Sequence, residues 1–325
     1  MRTNCTDFSE ISKIIEKYKT FAIYSHIHTD IDAIGSSLGL KMALEKLGKT
    51  AHVFIDSVFP DNANTLKNVE KINNEKLDCY DVAVILDCAD VARLGRLQYK
   101  FRKNTKTTFQ IDHHLDNPLF AQTNYVKEGE SSTCELVFNL IKFLNVNVDK
   151  DIALCLISGI FTDTGCLKFS STKPATLNVA SELLKITGLE MDQITYPLFN
   201  NLTLGAFNLR KLSLNKIEFI CDGKAGVIVL TKEDLESCNA TFEETKGLTD
   251  VPMQIGKIKC VVVATQSPYD GIYYVSIRTK DNFSSRNIAT ELGGGGHLKA
   301  AGGKIDAPKD VVRETLIKAI SKEIK

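Results

Sequence analysis

The chain has 325 residues, 43% hydrophobic and 25% charged, which excludes a wholly disordered polymer and implies about two domains. Forty basic and forty acidic side chains cancel. That balance argues against a protein that grips long duplex nucleic acid by neutralising phosphates, and leaves room for a small anionic substrate held at one site.

The start, MRTNCTDFSEISKIIEKY, is polar and has no apolar signal-peptide core. FAIYS (21–25) reads as a short buried strand and AIGSSLGLKMALEKLG (33–48) as a helix closed by Gly48. HVFI (52–55), DVAVILD (81–87) and TTFQID (107–112) continue the strand pattern. Strands separated by helical stretches predict an α/β fold, a doubly wound parallel sheet covered on both faces. Ser132 and Glu135 are spaced as a capping box that opens CELVFNLIKFL. DIALCLISGIFTDTG (151–165) reads as a helix, and PATLNVASELLKITG (174–188) as another, with proline at its start and glycine at its end. Residues 191–215 read as a linker. KIEFIC, AGVIVL, KCVVVAT and IYYVSIRT then predict the strands of a smaller C-terminal α/β domain.

No aliphatic run approaches the about 20 residues of a membrane helix, so no membrane partner and a cytoplasmic location are expected. Nine cysteines, an odd number without a CxxC pair, fit free and mostly buried thiols in a reducing compartment.

The histidines and the acids beside them carry the functional signal. In SHIHTDIDAIGS (25–36), His26, Asp30 and Asp32 follow a strand and precede a helix. Side chains at the carboxyl ends of parallel strands face the crevice where α/β proteins bind ligands. Asp87 ends the apolar run DVAVIL, IDHHLD (111–116) places Asp112, His113 and His114 after the next strand, and Asp163 closes an apolar helix, against its dipole. Each aspartate alone has a plainer reading as a helix cap or a solvated turn. Jointly, four such segments are expected to meet at one sheet edge, where the acids would repel one another without cations. Two divalent ions would relieve that repulsion, and the oxygen-and-imidazole donor set favours Mn²⁺ over Mg²⁺, Co²⁺ or Zn²⁺. Asp112 stands where it would orient an imidazole. His28 and His52 are expected to be structural.

In this order, the segments resemble the motifs of the DHH phosphoesterases, and SIRTKD (276–281) with GGGGHLKAAGG (293–303) resembles the DHHA1 signature. Length and both domains are similar to the NrnA-type branch, which pairs degradation of very short RNA with removal of the 3′-phosphate of 3′-phosphoadenosine 5′-phosphate (pAp). The resemblance implies a DHH catalytic domain over 1–190, a linker over 191–215 and a DHHA1 substrate-binding domain over 216–325. It implies that His26, Asp30 and Asp87 hold one metal and that Asp32, Asp87, His113 and Asp163 hold the other. Asp87 would bridge, and His114 would face the phosphate. The first motif departs from the family's usual Asn-Pro-Asp-Gly-Asp, reading His28-Thr29-Asp30-Ile31-Asp32; the ligand positions survive, and what the change leaves open is the loop's fine shape and substrate preference.

The run Gly293 to Gly296 is expected to form an anion-binding nest of backbone N–H groups beside His297. Arg278 would add a bidentate fork. In the resemblance Arg278, Gly294, Gly295, Gly296 and His297 bind the nucleotide. The expected enzyme is a manganese-dependent phosphodiesterase and phosphatase acting on short single-stranded RNA and pAp, with Asp87, Asp112 and His114 as its catalytic groups. Rival substrates are pApA and cyclic di-AMP. Inorganic pyrophosphate ranks lower, because its hydrolases resemble a different second domain. A reading from another class is a nucleotide-binding sensor without catalysis. A homodimer is left open.

Overall fold

A computed structural model of the chain describes residues 3–103, 105–114, 117–200, 202–296 and 298–324. It divides into two compact units, residues 1–201 and 202–325.

In the first unit the strands are β1 (Thr3–Asn4), β2 (Thr20–Tyr24), β3 (Thr50–Phe54), β4 (Val82–Leu86), β5 (Thr107–Asp112) and β6 (Thr123–Val126). The helices are α1 (Ser9–Lys17), α2 (Ile31–Lys46), α3 (Thr133–Phe143), α4 (Lys150–Asp163), α5 (Pro174–Thr187) and α6 (Met191–Phe199). Among the described residues the strands form one parallel sheet in the order β1-β6-β5-β4-β2-β3. Alternation along each strand explains why both faces are dry. Phe21, Ile23, Val82, Val84, Leu86, Phe109 and Ile111 pack against the helical layer, whereas Ala22, Tyr24, Ala83 and Ile85 pack on the opposite face with Leu94, Phe101 and Phe120. The doubly wound sheet expected from the alternating runs is therefore present. The chain leaves β2 toward β3, then returns across β2 to β4, so a topological switch point lies between β2 and β4.

In the second unit α7 (Leu204–Asn215), α8 (Lys232–Cys238), α9 (Asp250–Met253), α10 (Ser285–Glu291) and α11 (Lys309–Glu323) accompany β7 (Glu218–Ile220), β8 (Ala225–Leu230), β9 (Cys260–Gln266), β10 (Tyr273–Thr279), β11 (Gly295–Gly296) and β12 (Ala300–Ile305). The sheet order is β11-β12-β10-β9-β8-β7, with β8 and β9 parallel and the other pairs antiparallel.

Two features differ from the sequence reading. The stretch read as a linker, 191–215, is mostly helical: α6 and α7 fill it, and the division between units falls at 201/202. Weak hydrophobic alternation hid these helices, although Thr203 accepts a hydrogen bond from Ala206 N as an N-cap should. The glycine run does not form a nest. Gly293, at φ +69°, follows the C-cap of α10, and Gly295–Gly296 pairs with β12 as a short edge strand. A Cβ at Gly294 would run into the Gly302 carbonyl, so backbone approach, rather than anion contact alone, calls for glycine there. His297 lies outside the described residues.

All nine cysteines are free thiols. Among the described residues no helix is long and apolar enough to cross a membrane.

Candidate metal centre

The carboxyl ends of β2, β4 and β5 and the last turn of α4 deliver the predicted side chains to one place. His26 follows β2. Asp30 is the N-cap of α2, its Oδ1 accepting from Ala33 N at 3.0 Å, so the capping reading and a ligand role coexist. Asp32 sits in the first turn of α2 and is fully buried. Asp87 follows β4 with φ +52°, a left-handed conformation that costs energy outside glycine, though Asp tolerates it better than most residues.

Three sets of donor atoms lie within 4.8 Å of one another: His26, Asp30 and Asp87; Asp32, His113 and Asp163; and Asp87, His113 and His114. Asp87 faces two ways. Its Oδ2 is 3.4 Å from His26 Nε2, and its Oδ1 is 3.5 Å from His113 Nε2. His113 Nε2 also stands 3.3 Å from Asp163 Oδ2, and His26 Nε2 is 3.8 Å from Asp30 Oδ2.

The tautomers follow from the second ring nitrogens. His26 Nδ1 is 2.7 Å from the Ile27 carbonyl, and His113 Nδ1 is 3.1 Å from the Glu130 carbonyl. Each Nδ1–H donates to its carbonyl, which leaves Nε2 facing the acids, the orientation a metal-ligating histidine adopts. The Arg93 guanidinium approaches His26 Nδ1 at 3.4 Å, too far to displace the shorter bond. His114 is held differently: its Nδ1 donates to Asp112 Oδ1 at 2.7 Å. Asp112 is fully buried, accepts also from His113 N at 2.9 Å, and takes Asn117 Nδ2 on its other oxygen at 2.6 Å.

Electrostatics tests whether a divalent cation fits. Burial, then the Asp87 charge, pushes Asp32 up to about 7. Enclosure in the site and the Asp32 charge likewise raise Asp163. Burial disfavours charge on Asp87 and His113 too. Contact with His113 and His26 nevertheless carries Asp87 well below the usual carboxylate range, and the Asp87 contact carries His113 well above the usual imidazole range. Such a set holds protons in place of positive charge, and two cations could replace those protons. The donors are carboxylate oxygens and imidazole nitrogens without thiolate, which suits hard to borderline divalent ions. The residues fit the metals.

Sequence reasoning missed three neighbours. Thr133 donates through its hydroxyl to Asp87 Oδ1 at 3.0 Å, Asn117 braces Asp112, and Arg93 approaches His26. Thr133 was findable from the Ser132 cap, which places its N–H at a helix start; Asn117 and Arg93 carried no signal beyond nearness to a motif. In the second unit, Arg278 ends exposed on β10, its Nη1 donating to the Ile277 carbonyl at 3.0 Å, and Gly294, Gly295 and Gly296 lie at the sheet edge.

A doubly wound sheet with acids and imidazoles gathered at its switch point defines a metal-dependent hydrolase architecture. The model of the DHH family, N-terminal domain, matches residues 20–160, and that of the DHHA1 domain matches 225–325. The bifunctional oligoribonuclease and PAP phosphatase NrnA of Thermus thermophilus is 31% identical, over 97% of this chain and 93% of its own. A probable bifunctional oligoribonuclease and PAP phosphatase NrnA of Streptococcus mutans is 26% identical, over 91% and 93%. The crystal structure of an exopolyphosphatase-related protein from Bacteroides fragilis superposes with a TM-score of 0.90 at 26% identity, covering 97% of this chain and 95% of that one. The chain belongs to the DHH–DHHA1 phosphoesterase family, in its NrnA-type branch.

Proposed function

We propose that this chain is a two-metal phosphoesterase that hydrolyses short RNA oligonucleotides to mononucleotides and removes the 3′-phosphate of pAp. The observation that carries the reading is Asp87. Its two oxygens face two separate donor sets, which is what a carboxylate shared by two cations requires. His26, Asp30 and Asp87 would hold one ion, and Asp32, Asp87, His113 and Asp163 the other, with Mn²⁺ the favoured metal. When bound, such ions supply Lewis acidity toward a phosphoryl oxygen and ease the ionisation of water for attack on phosphorus.

The chain's own residues do the rest. The Asp112–His114 pair fixes the imidazole: burial opposes the cation, while the Asp112 hydrogen bond and the Asp87 charge raise His114 above its ordinary pKa. In its protonated form the imidazole so held would offer charge to a transferring phosphoryl group without reorganisation. Asp112, shielded and braced by Asn117, orients rather than exchanges protons with substrate. The first unit would carry the chemistry and the second would recognise the nucleotide, through Arg278, the Gly294–Gly296 edge and His297. The names of the NrnA relatives support this substrate class.

Rates on a 5-mer RNA, pAp, pApA, cyclic di-AMP and pyrophosphate, measured side by side with Mn²⁺, test the reading. Turnover of the RNA and pAp is expected, lost on chelation and regained with Mn²⁺. Protein that leaves every substrate intact sinks the enzyme, and preference for cyclic di-AMP or pApA redirects it.

A further inference from the structure

The N-terminus of α3, opened by the Ser132 cap, points at the metal centre. Ser132 is extended and caps the helix by accepting from Glu135 N at 3.1 Å. The first N–H groups of a helix have no partner within it. Here two of them close on one carboxylate: Thr133 N donates to Asp32 Oδ2 at 2.8 Å and Cys134 N to Asp32 Oδ1 at 2.9 Å. The same residue, Thr133, sends its hydroxyl to Asp87 Oδ1 at 3.0 Å. One side chain and its own amide therefore grip an acid from each of two donor sets, and Thr133, Asp32 and Asp87 are all buried.

Neighbouring residues hold this grip. Glu135, itself buried, accepts from the Ser131 hydroxyl and from Thr176 Oγ1, the latter at 2.8 Å, which ties the start of α3 to α5. Gly159 on α4 gives Asp32 its room, since a Cβ there would lie 2.8 Å from Asp32 Oδ1 and collide with Cys134 Sγ. Carboxylate oxygens have two lone-pair directions each. Occupying one on each Asp32 oxygen, and one on Asp87 Oδ1, fixes where the remaining lone pairs point.

We infer that Thr133 is a positioning residue that couples the two halves of the centre, its hydroxyl setting the plane of the shared Asp87 carboxylate while its amide sets Asp32. The inference rests on the two-metal reading above. It concerns orientation, so it bears on metal affinity before it bears on rate. Partners that orient metal ligands typically contribute about 10–100-fold in affinity or activity when removed.

Calorimetric titration of Mn²⁺ into metal-free protein provides the test, with kinetics on the preferred substrate as the second readout. Thr133→Val keeps shape and loses the hydroxyl; Mn²⁺ affinity is expected to fall about 10–100-fold, with kcat reduced more than KM is raised. Thr133→Ser keeps the hydroxyl and is expected to bind Mn²⁺ within about threefold of wild type, a rescue that lost methyl packing could not produce. Should Thr133→Val fail to fold, the contrast between Thr133→Ser and Thr133→Ala carries the same expectation. Wild-type protein that binds Mn²⁺ while Thr133→Val, or Thr133→Ala in its place, binds it equally well overturns the positioning role alone. Thr133→Ser that binds as weakly as Thr133→Ala overturns it too. Wild-type protein that binds no Mn²⁺ removes the two-metal reading and this inference together.

Discussion

The two sheets treat their functional edges in opposite ways. The parallel sheet of the first unit loads the carboxyl ends of β2, β4 and β5 with buried acids and imidazoles and holds them by hydrogen bonds from behind. The mixed sheet of the second unit ends in bare backbone, a two-residue glycine strand against β12. Charge gathered out of water is costly unless something compensates it, and the first arrangement is one that bound cations would relieve. A glycine edge costs backbone entropy instead, and presents N–H and C=O groups to whatever approaches. One edge gathers charged side chains and the other offers bare backbone.

The largest expected effect breaks the first edge. Asp87→Asn keeps size but removes the charge that two donor sets share. It is expected to lower kcat on the order of a thousandfold or more and to weaken Mn²⁺ binding, measured by steady-state kinetics and calorimetry. Asp81→Asn, at the other end of the same strand, is the matched control and should leave both unchanged. Equal behaviour of the two variants would mean that the carboxyl edge is not special.

A smaller effect sharpens the contrast between units. Gly159→Ala would push a methyl between Asp32 and Cys134, and Gly294→Ala would push one into the Gly302–Gly303 backbone. Both are expected to cost about 1–3 kcal/mol in urea denaturation, as overpacking does. Only Gly159→Ala should also weaken Mn²⁺ binding. A metal affinity that also falls in Gly294→Ala would dissolve the distinction.

Much of the first edge was legible in the sequence, because strand ends can be read from apolar runs and chemistry-bearing residues stood immediately after them. His26, Asp87 and His113 follow β2, β4 and β5 with at most one residue between, and Asp112 ends β5, so naming the strands nearly named the site. Thr133 was harder to find: its role depends on which helix start a long-range fold points at Asp32, 101 residues away in the chain. The second edge was misread for a different reason. Four glycines permit either a nest or a tight strand, and the choice is made by β12, whose Gly302 and Gly303 let the backbones close up. Helices α6 and α7 were hidden because their exposed faces carry Tyr196, Phe199, Leu204 and Phe207, which blurs the apolar period.

The smallest effect concerns pH and compares the two ends of β4. Asp81, just before the strand, is pushed down to about 2 by its ion pair with Lys106 at 2.7 Å, helped by N–H groups of Lys19 and Thr20, each at 3.1 Å. Its role is to tie the amino ends of β2 and β4, with no part in the metal centre. A carboxyl whose folded pKa lies below its unfolded one stabilises the fold above the unfolded value, near 4, and loses that contribution as pH falls toward the folded one. Wild type is therefore expected to exceed Asp81→Asn in stability by about 1–2 kcal/mol at pH 6. The gap should shrink steadily between pH 4 and pH 3. Urea denaturation midpoints of both proteins across that range measure it, and a gap independent of pH would assign the difference to lost packing rather than to the carboxylate's charge.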